Sequence, residues 1–352
     1  MKPASKTGPR VEKLIQLLQG KGLMLIVMQD NPDPDSIAAA VALRRVANST
    51  AGVQCSIAHS GTVGRGENRA LVNYLNLNLH QLNDIEFQKF DLIAMVDTQP
   101  GTGNNSLPEI QAPHIVIDHH PCQPATRSAP LIDIRSGLGA TSTILSEYLH
   151  EADIIPDMPL ATALLYGIRS DTQDLGREAT QADIEAIEWL YPLANKRMLS
   201  AIQRGSVPRE YFRILAVALK NARIYGNAII TSLGQIDNPD MIGEVADLLL
   251  REEKTVWTMC MGLSQGKMLI SLRTNDEDND AETVVKHLVD SYGTGGGHQT
   301  YSGGQILLEE GSKEEFNRIE KVMRKRFVHL IGVEDHHAVK LINETKKEKT
   351  PT

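Results

Sequence analysis

The sequence predicts an α/β protein: a doubly wound parallel sheet followed by a second, smaller α/β domain. Three observations carry this expectation. Short apolar runs recur at residues 23–28, 92–96 and 114–117, and such unbroken runs suit parallel strands covered on both faces. Segments with helical spacing lie between them, and alternating strands and helices build a parallel sheet. Each run also stops at ionisable residues: Asp33 and Asp35, then Asp97, then Asp118-His119-His120. The carboxyl ends of the strands are where open α/β sheets bind ligands. One such ending would fit a turn facing water; three in one sheet point to a site.

In chain order, residues 1–10 carry Lys2, Lys6 and Arg10 with no apolar stretch of signal-peptide type, and read as a loose tail. Residues 11–19 have helical spacing, interrupted by Gly20 and Gly22. The strand at 23–28 runs into Gln29-Asp30-Asn31-Pro32-Asp33-Pro34-Asp35, whose prolines hold the loop out of helix. Asp35 or Ser36 is then the expected cap of an alanine-rich helix over 37–47. A strand at 53–58 and a helix at 67–75 follow, with a polar cluster at 65–69 between them. After the third strand, Gly139-Ala140-Thr141-Ser142 leads into a helix to about residue 149. Helices are predicted at 160–168, with Ser170-Asp171-Thr172 at its end, and at 181–193 and 209–222. The first domain is placed at 1–200, a helical linker at 201–222, the second domain at 223–332 and a solvated tail at 333–352. In the second domain, strands are expected at 228–231, 256–261 and 268–272, and helices at 242–250 and 282–291. Residues 293–304 then hold six glycines in twelve. Such a loop lets backbone N–H groups converge on an anion, the alternative being a flexible hairpin.

A chain of 352 residues suggests two domains, and its hydrophobic share of 41% suffices for real cores. No apolar run reaches the roughly 18 residues of a membrane helix, so no membrane partner is expected. Cys55, Cys122 and Cys260 are far apart and in no metal-ligand spacing, which points to a reducing, cytoplasmic setting. The net charge of −8 argues against a long-duplex nucleic-acid surface, which normally shows a basic stripe, while leaving room for a small phosphate pocket.

Asp33, Asp35, Asp97, Asp171 and His119 place four carboxylates and an imidazole along one sheet edge. Carboxylates so crowded repel unless cations sit among them. Two divalent ions about 3.5–4 Å apart would activate a water for in-line attack on phosphorus. A mixed oxygen and imidazole set suits Mn²⁺ better than Mg²⁺.

Five ordered motifs, Asn31-Pro32-Asp33-Pro34-Asp35, the strand ending in Asp97, Asp118-His119-His120-Pro121, Ser170-Asp171-Thr172 and Gly295-Gly296-Gly297-His298, resemble those of the DHH phosphoesterase family. Within it the chain is similar to the two-domain subfamily that includes the NrnA-type oligoribonucleases and pAp phosphatases, akin to RecJ nucleases. The resemblance covers about residues 10–330. It implies a bimetal, usually Mn²⁺-dependent hydrolase, with a DHH domain facing a smaller DHH-associated substrate-binding domain across a cleft. By the same resemblance Asp33 and Asp97 hold one ion, and Asp35, Asp97, His119 and Asp171 the other. Asp118 orients, His120 touches the scissile phosphate, and Arg273, Gly296, Gly297 and His298 grip a short nucleotide or oligonucleotide substrate. A homodimer is compatible with it.

Gln29 departs from the pattern, standing where the family usually has histidine; its amide oxygen is a weaker ligand of the first ion. Gln299 and Ser302 replace the more usual Pro and Ala. The second Asp-His-His, at 335–337, lies too near the end of the sequence to complete a site and is read as coincidence. The implied activity is hydrolysis of short oligoribonucleotides or of a 3′,5′-bisphosphonucleotide. A phosphodiesterase for cyclic or linear dinucleotides, a polyphosphate hydrolase and a non-catalytic nucleotide sensor remain alternatives.

Overall fold

The structure, a computed structural model, describes residues 7–342 except 178, 277, 298 and 334–336. The chain divides into two compact units, the first ending at Ser206 and the second beginning at Val207. The segment expected to link the domains is itself divided. Its start closes a helix of the first unit, and residues 209–221 form a helix packed on the core of the second.

The first unit contains α1 (Gly8–Leu18), β1 (Leu23–Val27), α2 (Pro34–Ala51), β2 (Gln54–His59), α3 (Gly66–Tyr74), β3 (Leu79–Gln81), β4 (Leu92–Val96), β5 (Ile115–Asp118), β6 (Leu131–Ile134), α4 (Thr141–Glu151), α5 (Met158–Asp171), α6 (Gln181–Leu190) and α7 (Lys196–Gln203). The strands form one parallel sheet in the order β3-β2-β1-β4-β5-β6. The apolar runs work as two-sided strands. Met24, Ile26 and Met28 join the core beneath α1, α2, α4 and α5, while Leu25 and Val27 pack with Leu82, Met95, Val116 and Ala129 on the other face. That second face is covered by 3₁₀ turns at Leu82–Asp84 and Pro124–Ser128 and by loop residues such as Phe90 and Leu107. Sequence neighbours run outward from β1 in one direction and from β4 in the other. The order therefore reverses between β1 and β4, and a crevice opens at their carboxyl ends.

Three readings change. Gly8, Pro9 and Arg10 are helical, because Pro9 suits a first turn that needs no N–H there. The cap of α2 is Asp33, not Asp35 or Ser36: Pro34 takes the first helical position and Asp33 Oδ1 accepts the Ser36 N–H at 2.9 Å. Asp35 thus lies on the first turn of a helix, fully buried. Two strands, β3 and β6, are added. They are three and four residues long, and the buried Asp133 interrupts the apolar pattern of β6.

The second unit contains α8 (Arg209–Asn221), β7 (Arg223–Tyr225), β8 (Ala228–Gln235), α9 (Asp240–Leu249), β9 (Trp257–Ser264), β10 (Lys267–Thr274), α10 (Ala281–Val289), β11 (Thr294–Gly297), β12 (Tyr301–Leu307), α11 (Lys313–Leu330) and β13 (Val339–Lys340). Its seven-stranded sheet runs β11-β12-β10-β9-β8-β7-β13, with β8 and β9 parallel and the other neighbours antiparallel. Side chains alternate along β9, where Met259 and Met261 face α10 and α11 and Cys260 faces α8 and α9. The glycine-rich segment forms the antiparallel pair β11–β12. Gly295 and Gly304 lie opposite each other, and a Cβ on either would come within 3.1 Å of Val285 on α10. Close packing on a helix therefore accounts for these two glycines without any ligand. Asp335, His336 and residues 343–352 of the expected tail lie outside the described residues. Among the described residues, no helix is long and apolar enough to cross a membrane, and the three cysteines are free.

Candidate metal centre

The crevice between β1 and β4 is where the strand-ending residues converge. The loop after β1 folds back so that Gln29 Nε2 donates to Asp33 Oδ2 at 2.9 Å, while the other oxygen of Asp33 caps α2. One turn on, Asp35 accepts two backbone N–H groups at the start of α4, Thr141 at 2.7 Å and Ser142 at 2.8 Å. A carboxylate at a helix N-terminus meets unpaired donors and the positive end of the helix dipole. Gly167 on α5 makes room, since a Cβ there would lie 2.6 Å from Ser142 Oγ and 3.1 Å from the Asp35 backbone.

Asp97, immediately beyond β4, has the left-handed backbone conformation, with φ +58°, and is 1% exposed. Its Oδ1 accepts the Thr141 hydroxyl at 3.0 Å. Beyond β5, His119 donates from Nδ1 to the Leu138 carbonyl at 3.1 Å. This turns Nε2 toward the carboxylates, 3.3 Å from Asp171 Oδ2 and 3.6 Å from Asp97 Oδ1. Asp171 is the last residue of α5. The ligand atoms of Asp35, Asp97, His119 and Asp171 all lie within 4.8 Å of one another, and so do those of Asp97, Asp118, His119 and His120. Asp97 and His119 belong to both sets.

Asp118 has a different task. One oxygen takes His120 Nδ1 at 2.8 Å and the other takes Gln99 Nε2 at 2.7 Å. Gln99 is itself fully buried, its amide oxygen accepting from Gln123 N and Thr126 Oγ1. The chain Gln99–Asp118–His120 fixes the ring of a half-exposed histidine beside the carboxylate cluster.

Electrostatics separate these roles. Burial, then the Asp171 carboxylate, pushes Asp33 up to about 6 and Asp35 up to about 7. Burial and the surrounding aspartates raise Asp97 well above the usual carboxylate range. For Asp118 burial acts upward too, but the bonds from His120 and Gln99 outweigh it and hold the carboxyl below that range. Burial pulls the His119 imidazole down, yet the carboxylates led by Asp171 outweigh it and raise it to about 10. Mutual repulsion of this kind is what a bound cation relieves.

The donor set passes a direct test for a divalent ion. His119 Nε2 is buried and makes no hydrogen bond among the described residues, although carboxylate oxygens surround it. A nitrogen oriented through Nδ1 and facing carboxylate oxygens at 3.3 and 3.6 Å without a hydrogen bond to either is the arrangement of a metal-ligating histidine. Oxygen donors with one imidazole suit Mn²⁺.

Asp33, Asp35, Asp97, Asp118, His119, His120 and Asp171 are thus all in one neighbourhood of the first unit, with Gln29 hydrogen-bonded to its edge. The remaining candidates belong to the second unit. Arg273 on β10 donates to Asp247 at 2.6 Å and to Ser271 at 2.6 Å, with its guanidinium 5.7 Å from the Tyr301 ring centre. Gly296 and Gly297 sit on β11, and His298 lies outside the described residues. Sequence reasoning missed Gln99, Thr141 and Ser142 as supports. Gln99 had a faint signal, a polar residue two places beyond a strand-ending aspartate.

Fold and centre together define a divalent-metal-binding α/β protein of two units. The family model described as the DHH family, N-terminal domain, matches residues 24–168, and the DHHA1 domain matches residues 226–328. The chain belongs to the DHH family. It is 35% identical over 323 residues to an uncharacterised protein of Methanocaldococcus jannaschii, covering 90% of this chain and 65% of that protein's length. It is 24% identical over 274 residues to a probable manganese-dependent inorganic pyrophosphatase of Lactobacillus gasseri, covering 74% of this chain and 84% of the relative. Among solved structures, an exopolyphosphatase-related protein from Bacteroides fragilis shares the fold with a TM-score of 0.70 at 15% identity, over 92% of this chain and 98% of that one.

Proposed function

We propose that this chain hydrolyses phosphoester bonds in short nucleotides, namely short oligoribonucleotides, a 3′,5′-bisphosphonucleotide, or both. The observation that carries the proposal is the convergence of ligand atoms from Asp35, Asp97, His119 and Asp171 within 4.8 Å of one another, with the Asp33 carboxylate near enough to repel Asp35 and Asp171. In this reading Asp33 and Asp97 hold one divalent ion, and Asp35, Asp97, His119 and Asp171 hold a second. The ions, when bound, supply an activated water and offset the charge that builds on the leaving oxygen. The protein orients the centre. Leu138 fixes the His119 tautomer, α4 holds Asp35 through two amides, and Thr141 holds Asp97. His120, braced by Asp118, meets the scissile phosphate. Arg273, Gly296, Gly297 and His298 bind the remainder of the substrate.

A second reading, hydrolysis of a phosphoanhydride such as pyrophosphate or polyphosphate, is favoured by the manganese-dependent pyrophosphatase relative. One panel separates them: RNAs of two to five residues, a 3′,5′-bisphosphonucleotide, cyclic and linear dinucleotides, pyrophosphate and polyphosphate, each assayed with Mn²⁺. Turnover confined to pyrophosphate or polyphosphate overturns the nucleotide reading. Binding of nucleotides without turnover of any substrate would make the chain a sensor.

Two substitutions test finer roles. Gln29→His is expected to lower the Mn²⁺ concentration for half-maximal rate by roughly tenfold, since an imidazole replaces a neutral amide beside Asp33. Identical metal dependence in both proteins removes Gln29 from the ion's ligands. Arg273→Ala is expected to raise KM roughly tenfold through loss of a charge-assisted phosphate contact. Because Asp247 and Ser271 also lose a partner, the unfolding transition is recorded alongside. KM and kcat unchanged on every substrate would remove Arg273 from binding.

A further inference from the structure

Asp183 lies outside every motif of the metal centre, on the first turn of α6, and is fully buried. Its closest partners in sequence are the Thr180 N–H and hydroxyl, at 2.8 and 2.7 Å; the N–H bond, with the Thr180 side chain accepting the Asp183 backbone N–H in return, makes an ordinary capping box for α6. Its other two bonds reach about forty residues back along the chain. Oδ2 accepts the Gly139 N–H at 3.0 Å and Oδ1 accepts the Thr143 hydroxyl at 2.5 Å. Gly139 and Thr143 flank the first turn of α4, the turn whose Thr141 and Ser142 hold Asp35 and Asp97.

That turn needs outside support. The residue at its cap position is Ala140, which has no side-chain acceptor, and buried helix N-termini without partners are costly. Asp35 takes over that task from the metal side by accepting the Thr141 and Ser142 N–H groups, while Asp183 holds the same segment from the α6 side through the Gly139 N–H and the Thr143 hydroxyl. The contact is close on every side. A Cβ at Gly139 would lie 2.4 Å from Thr172 Cγ2 and 3.1 Å from the Asp183 carboxylate, and Thr172 adjoins Asp171. Movement of Gly139 would therefore be felt at Asp35, Asp97 and Asp171 together.

We propose that Asp183 is a positioning residue for the metal centre: by pinning both flanks of the first turn of α4, it sets the geometry at which Asp35 and Asp97 present their oxygens. The inference rests on the reading of the cluster as a metal site. Supports of this kind, which orient a ligand without touching the ion, are worth roughly ten- to a hundredfold in metal affinity.

The test is Mn²⁺ titration by calorimetry on the full chain, with the unfolding transition measured beside it. Asp183→Asn keeps the size of the side chain but removes its charge and one of its two acceptor oxygens, so the Gly139, Thr180 and Thr143 donors can no longer all be accepted. Its Mn²⁺ Kd is expected to rise roughly ten- to a hundredfold, with activity recovering at saturating Mn²⁺. Thr143→Val removes a single bond to Asp183 at constant volume and is expected to raise the Kd severalfold, so the inference stays exposed should Asp183→Asn fail to fold. Leu149→Ala, fully buried on the last turns of α4, is expected to lower Tm while leaving the Kd unchanged. Wild-type Kd in folded Asp183→Asn and Thr143→Val would overturn the positioning role while leaving the metal site standing. Failure of the wild-type chain to bind Mn²⁺ at all would overturn the metal reading itself, and the positioning role with it.

Discussion

Asp97→Asn is expected to lower hydrolysis at least about a hundredfold while leaving the fold intact. Asp97 lies in the cluster with Asp35, His119 and Asp171 and is also assigned to the ion beside Asp33, so in the proposed reading one substitution removes charge from both ions. Metal catalysis contributes several kcal/mol to barrier lowering, and each 1.36 kcal/mol is tenfold in rate. The fold should tolerate the change for three reasons. Asparagine, like aspartate, accepts the left-handed conformation that Asp97 adopts. Its amide oxygen can still receive the Thr141 hydroxyl, which now bonds to Asp97 Oδ1. The lost charge was buried among other carboxylates and repelled by them. Circular dichroism, the unfolding transition and hydrolysis of the best substrate check this together. A folded Asp97→Asn protein retaining more than about a tenth of wild-type activity would rule out a shared bridging ligand.

What could be read before folding follows from the range of the interactions involved. β1, β4 and β5 are buried on both faces, so nearly every residue is apolar, and each run breaks abruptly at the residue that enters the crevice. Strand and site are announced by the same change of polarity. The start of α2 was misplaced because two aspartates and a serine compete locally for the cap, and Pro34 at the first helical position decides it in favour of Asp33. β3 and β6 carry too few residues for periodicity to register.

The supports of the site were harder to foresee. Gln99 bonds to residues from Asp118 to Thr126, and Asp183 to Gly139 and Thr143. A buried amide or carboxylate satisfied by distant donors leaves no local pattern; in sequence it looks like any polar surface residue. The glycine-rich segment had the opposite problem. Six glycines in twelve residues suit an anion cradle and a hairpin pressed against a helix equally well, and the difference lies in Val285 and Val289, several residues upstream on α10.

Adding Mn²⁺ is expected to raise the Tm of the first unit strongly near pH 8 and little near pH 5. In the metal-free chain Asp33 and Asp35 are raised to about 6 and about 7, against 3.8 in the ordinary range. Between about pH 4 and pH 7 these two carboxyls therefore bind more protons in the folded state than in the unfolded one, so their contribution to stability falls as pH rises through this window and is level above it. His119 acts in the same sense at higher pH. Its folded value of about 10 exceeds the ordinary 6.5, so the stability it contributes is complete below about 6.5 and lost as pH climbs toward 10. A divalent ion reverses the balance, because it binds only the ionised carboxylates and the neutral imidazole, and only in the fold. Protons compete with it at pH 5 for the carboxylates of Asp33 and Asp35 and for the His119 imidazole; by pH 8 the competition at those two carboxylates is largely gone and the proton on His119 remains to be displaced. At a hundred times its Kd the ion contributes about 2.7 kcal/mol, worth roughly 5–10 °C for a unit of this size. Calorimetry at pH 5, 6, 7 and 8, with EDTA and with Mn²⁺, reads both slopes directly. A Mn²⁺ shift independent of pH would mean that the ion binds somewhere other than these carboxylates. A metal-free Tm that rises between pH 5 and 7 would mean that they do not repel as their burial and spacing require.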